Sequence, residues 1–91
     1  SLSKNCWIAW QFDRPDLGSG AVFAFRRSKA AENRIKFFLK GLKPESMYEI
    51  IFVDTDTKKA LSGKELTEKG LEVSEDNAPA SMLITYKLMN S

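Results

Sequence analysis

Two pairs of aspartates, Asp13 with Asp16 and Asp54 with Asp56, are the first residues whose type and spacing suit chemistry. Hydrolysis of a glycosidic bond uses two carboxyl groups several ångströms apart across a sugar ring, one of them with a raised pKa. Both pairs, however, fall in stretches that read as turns, where an aspartate accepts hydrogen bonds from backbone amides for structural reasons. Asp54-Thr55-Asp56 opens like a calcium loop, but the glycine and the distal glutamate of such a loop are missing at the required spacing. Gly18-Ser19-Gly20 lies between two apolar runs with no helix after it, so it reads as a hairpin turn and not as a phosphate cradle. The chain has no histidine, which removes the usual general base and the commonest metal ligand. Its one cysteine, Cys6, excludes an internal disulfide and a cysteine-based zinc site. Cys6 alternates with apolar neighbours and is expected as a buried thiol, compatible with the cytosol or the periplasm. No catalytic residue, metal ligand or cofactor site is expected.

Aromatic side chains are the remaining candidates. Trp7 and Trp10 fall on opposite faces of a strand, so alternation places at most one in a core. An exposed tryptophan beside Gln11, Arg14 and Asp16 suits either a sugar-stacking platform or an interdomain anchor. The structural alternative buries both, one of them under a loop or a neighbouring domain. Phe38, between Lys36 and Lys40, is expected on an outward face as a second docking residue. Phe23 and Phe25 share a face and are expected in the core.

The elements that must position these residues are short strands separated by turns. Cys6–Phe12 alternates with period two, with Cys6, Ile8, Trp10 and Phe12 on one face. Asp13–Gly20 is a hairpin loop around Pro15, and Ala21–Arg27 is the second strand. Ser28–Asn33 is a polar connection with room for one helical turn. The third strand, Arg34–Lys40, points Ile35, Phe37 and Leu39 inward and its lysines outward. After a turn at Pro44, Met47–Asp54 carries apolar residues on both faces, as a strand covered on both sides would. Lys59–Ser62 reads as a short return strand, and Ser62–Gly70 as one helical turn with a glycine just past its end. Leu71–Ser74 is a short strand, and Ala80–Leu88 closes the chain with Met82, Ile84, Tyr86 and Leu88 on one face. The expected fold is all-β: a small antiparallel β-sandwich of about seven to eight strands, Greek-key in type, and a small Greek-key barrel would show the same alternation.

Bulk properties narrow the partners. Among 91 residues, 14 basic and 12 acidic side chains leave a net charge of +2 with no basic block, so nucleic acid is not expected. No apolar run approaches the roughly 20 residues of a membrane span. The chain starts with serine and enters its first strand after a few polar residues. Residues 1–5 are therefore expected to be a stump of a linker or of an upstream domain, and residues 6–89 a single accessory domain.

The order of landmarks carries a resemblance. Trp7-Ile8-Ala9-Trp10-Gln11-Phe12-Asp13-Arg14-Pro15-Asp16 is followed by Gly20-Ala21-Val22-Phe23-Ala24-Phe25-Arg26-Arg27. Then come Leu39–Pro44, Tyr48-Glu49-Ile50 with Asp54-Thr55-Asp56, Leu61–Leu66, Gly70–Val73 and Ser81–Tyr86. This succession resembles the C-terminal β domain of α-galactosidase-type (melibiase-like) glycoside hydrolases of family 36, over nearly the whole chain. The resemblance implies a domain that follows a (β/α)₈ barrel carrying an aspartate nucleophile and an aspartate acid/base, without cofactor. None of those residues is in this chain. It also implies a bacterial parent, periplasmic, secreted or cytoplasmic.

The expected function is therefore a non-catalytic accessory domain that packs against the catalytic barrel of its parent and stabilises it. Trp7, Trp10 and Phe38 are its candidate interdomain or sugar contacts. A carbohydrate-binding module built on an exposed tryptophan and an immunoglobulin-like interaction domain are the alternatives.

Overall fold

The structure, a computed structural model, describes residues 6–89, so the stump expected over residues 1–5 lies outside the described residues. Period-two alternation produces seven strands and one short helix. These are β1 (Trp7–Arg14), β2 (Ser19–Arg26), β3 (Arg34–Phe37), β4 (Met47–Phe52), β5 (Thr57–Ser62), α1 (Gly63–Glu68), β6 (Leu71–Ser74) and β7 (Ala80–Leu88). Five strands form one sheet in the order β1-β2-β7-β4-β5, and β3 pairs with β6 in a second, smaller sheet. Every pairing is antiparallel. The fold is the all-β sandwich the alternation predicts.

The core lies between the two sheets. Val22 and Ala24 of β2, Ile84 and Tyr86 of β7, and Tyr48 and Ile50 of β4 are buried on the inner face of the large sheet. Leu71 and Val73 of β6 meet them, with Leu39 and Leu66 closing one end and Ile35 and Phe37 of β3 half-buried beside them. Leu66 is delivered by α1, a helix too short to persist alone. A capping box starts it: the Ser62 hydroxyl accepts from the Glu65 amide at 3.0 Å, and the Glu65 carboxylate accepts from the Ser62 amide at 3.2 Å. The Leu66 carbonyl then accepts from the Leu39 amide at 3.1 Å, tying the helix to the segment after β3. Arg26 is the one buried charged side chain among the described residues. Its guanidinium donates to the carbonyls of Glu75 at 2.6 Å and Ala30 at 3.0 Å, pinning two loops to the end of β2.

Several expectations change. Phe23 and Phe25 are not core residues: the buried side of β2 is Val22, Ala24 and Arg26, and Phe23 is 36% exposed. Both faces of β2 carry apolar side chains, so alternation alone does not say which is inward. The face with Val22, Ala24 and Arg26 is the one the second layer covers. The first strand runs on to Arg14, and Ser19 and Gly20 already belong to β2, so the turn is the shorter Pro15–Gly18. β3 stops at Phe37 instead of Lys40, although Leu39 is still buried. β4 has a hydrogen-bonded neighbour on each side, β5 and β7, yet only one of its faces is deeply covered; Ile51 is half-buried. The connection from Ser28 forms a turn, with Ala30 donating to Arg27, and no helix. Cys6 is half-buried.

This layering sets a stability contrast. Ile50→Ala, at a position with no exposed surface, is expected to cost about 3 kcal/mol in urea unfolding. Lys58→Ala, on the exposed edge strand β5, should stay within about 0.5 kcal/mol of the parent chain. Similar costs at the two positions would contradict the layering.

Candidate functional site

Edge strand β1 presents two different surfaces because successive side chains point to opposite sides of the sheet. On the outer side stand Trp10, 45% exposed, and Phe12, 58% exposed. The hairpin register sets Trp10 directly opposite Phe23, and Phe23 opposite Leu83 of β7. Trp10 and Phe23 stack with centroids 5.8 Å apart and planes at 20°, while Phe12 meets the edge of Phe23 at 5.7 Å and 89°. These are the favoured geometries of aromatic pairs. The surface continues across the sheet through half-buried Ile8, Phe25, Leu83 and Ile51. No layer of the described chain covers it.

On the inner side, Gln11 and Asp13 join a polar network. The Tyr86 hydroxyl donates to Asp13 Oδ1 at 2.6 Å and accepts from Gln11 Nε2 at 2.7 Å. Gln11 also clamps the loop after β3: its amide nitrogen donates to the Lys40 carbonyl and its oxygen accepts from the Lys40 amide, both at 2.9 Å. Tyr86 reaches this position because residue 20 is glycine. A Cβ there would collide with the phenol oxygen and with the Phe12 carbonyl. Burial, then the Asp13 carboxylate, pushes the Tyr86 phenol well above its ordinary value. Beside the network lies a cleft of about 390 Å³ lined by Gln11, Asp13, Phe37, Phe38, Lys40 and Gly41.

The three candidate contacts do not converge. Trp7 turns inward, packs against the core, and donates its indole N–H to the Glu32 carbonyl at 2.8 Å. Trp10 lies on the outer face. Phe38, 50% exposed, lines the cleft on the other side of β1. The aspartates are divided too. Asp16 holds Arg14 through bonds of 3.1 and 2.8 Å on the exposed turn, which lowers the Asp16 pKa and raises that of Arg14. Asp13 serves Tyr86, and Asp54 accepts from the Leu83 amide at 3.2 Å. Among the described residues no three His, Cys, Asp or Glu side chains gather as metal ligands.

Alternation set Phe12 on the face of Trp10, but sequence reasoning did not bring Phe23 to them, although a hairpin closed by a short turn pairs positions 10 and 23 directly. It also missed the network of Gln11, Asp13 and Tyr86, whose members are up to 75 residues apart.

With this geometry in place, comparison with protein-family models finds a match over residues 7–85 to the C-terminal domain of glycosyl hydrolase family 36. The chain belongs to that family. The match takes in all of β1 to β6 and most of β7, so the resemblance in the order of landmarks holds for nearly the whole fold. No curated protein matched the chain. A family 36 C-terminal domain fits an accessory part of a glycoside hydrolase.

The raised Tyr86 pKa has a pH signature. An unfolded tyrosine loses its proton near pH 10, whereas folded Tyr86 keeps it beyond that point. Its contribution to stability is therefore full below about pH 10 and is lost as the pH rises through its folded value. Between about pH 9 and about pH 11 the urea midpoint of the parent chain should fall more than that of Tyr86→Phe. Equal falls would show that the phenol is not held neutral by its surroundings.

Proposed function

We propose that this chain is the non-catalytic C-terminal accessory domain of an α-galactosidase-type glycoside hydrolase. Its outer sheet face packs against the (β/α)₈ catalytic barrel of the same parent and stabilises it. The observation that carries this reading is the exposed trio Trp10, Phe12 and Phe23 on a sheet face with no covering layer. A contiguous apolar patch of this kind marks a contact surface. Rigid aromatic rings are the side chains that supply most binding energy once desolvated. The position named by the family, at the C-terminal end of a larger enzyme, supplies the partner.

The same trio suits docking better than sugar stacking. One face of the Trp10 indole is taken by Phe23, and Phe12 sets its own ring upright beside them. The result is a ridged apolar surface, not an open plane. Trp7 acts within the domain by holding the Glu32 carbonyl.

In the full-length enzyme, Trp10→Ala is expected to destabilise the assembly by about 3 kcal/mol, the cost of emptying a buried aromatic site. In the 91-residue chain, where the indole is exposed, the same change should cost under about 1 kcal/mol. Thermal unfolding of both proteins with and without the substitution decides the matter. A full-length enzyme insensitive to Trp10→Ala, Phe12→Ser and Phe23→Ser would refute docking by this face.

A further inference from the structure

We propose that the cleft between β1 and the loop after β3 binds a neutral sugar ring. Phe38 is its stacking surface, and Asp13 and Lys40 are its polar contacts. The inference stands independently of the docking face, because the cleft opens on the opposite side of β1.

Asp13 is held from behind. Its Oδ1 receives the Tyr86 hydroxyl at 2.6 Å, while Oδ2 makes no hydrogen bond among the described residues and lines the cleft. Across from Oδ2 stands Gly41, at φ +79°, where an added Cβ would come within 2.8 Å of that oxygen. The glycine leaves the carboxylate accessible. The loop carrying Phe38 is fixed by the paired Gln11–Lys40 bonds rather than left loose. The Phe38 ring rests against Gly70, where a Cβ would stand 3.1 Å from Cε1, and half of its surface remains open. An aromatic ring, a fixed acceptor, Gln11 and Lys40 thus line one cleft, and Tyr86, Gly41 and Gly70 leave them room or hold them in place.

The chemistry of the lining selects the ligand class. The lining residues include one acidic and one basic residue, Asp13 and Lys40, so together they carry no net charge, which favours a neutral molecule over an anion or a cation. An exposed ring beside them suits a ligand with an apolar C–H face and a rim of hydroxyls, and a pyranose has both. The cleft volume of about 390 Å³ is at the small end of ligand pockets and matches a single ring. A second cleft of about 270 Å³ shares Asp13 and Gly41 and continues past Asp16 and Lys43, where a second unit of an oligosaccharide would extend.

The test is an amide chemical-shift titration of the ¹⁵N-labelled chain with methyl α-galactopyranoside, methyl α-glucopyranoside and, as a charged comparison, glucuronate. Saturable shifts at residues 11, 13 and 38–41, with a Kd on the order of 1 mM for a neutral glycoside, are expected. Phe38→Ala, an exposed position, should weaken binding by about tenfold with the rest of the spectrum unchanged. Asp13→Asn keeps an oxygen for Tyr86 yet should weaken binding as well, and Trp10→Ala should leave it intact. No saturable shift with either neutral glycoside, shifts centred on Trp10 and Phe23, or tighter binding of glucuronate would each overturn the proposal.

Discussion

Val22, Ala24, Ile84, Tyr86, Tyr48 and Ile50 make one apolar surface across β2, β7 and β4, and the burial of that surface beneath β3, β6 and Leu66 is the constraint on which the molecule depends. A chain of 91 residues has material for one such interior and little more. Five strands go to the large sheet, leaving two short strands and a six-residue helix for the cover. One face of the large sheet is therefore closed and the other is left open. The exposed aromatic face follows from how little covering layer the chain possesses.

The cover is held by specific polar devices at its margins. Arg26 grips the carbonyls of Ala30 and Glu75, so that the loops entering β3 and leaving β6 are tied to the end of the large sheet. At the other margin Gln11 grips Lys40. The Tyr48 hydroxyl accepts from the Lys43 amide at 2.8 Å, which anchors the turn before β4. A buried hydroxyl or guanidinium N–H without a partner costs about 1–3 kcal/mol, and among these groups only the Arg26 Nε is left unpaired within the described residues. These contacts allow Tyr86 and Tyr48 to sit edge to face inside the sandwich while their polar ends stay satisfied.

Strand β1 is where structure and function meet. As an edge strand it has a neighbour on one side only, yet its side chains feed two surfaces of opposite character. Trp10 and Phe12 extend the apolar outer face, and Gln11 and Asp13 organise the polar cleft. The family assignment gives this division a setting, the C-terminal domain of a glycosyl hydrolase of family 36.

The sequence by itself determined the strand-and-turn grammar. Alternation placed seven strands near their observed positions, located Leu71–Ser74 and Ala80–Leu88 to the residue, and separated Trp7 from Trp10 by face. Such readings succeed because period two is a local property of the backbone. The absence of histidine and the place of both aspartate pairs in stretches that read as turns were equally legible. Which face of β2 is inward was decided only in three dimensions. Val22 and Ala24 alternate with Phe23 and Phe25, and both sets are apolar, so hydrophobicity does not choose between them. The register with β7, which sets Val22 opposite buried Ile84, does choose, and it turns the phenylalanines outward toward Trp10. The union of Gln11, Asp13, Lys40 and Tyr86 likewise needed the folded chain, because strands remote in sequence become neighbours only when the sheet is assembled.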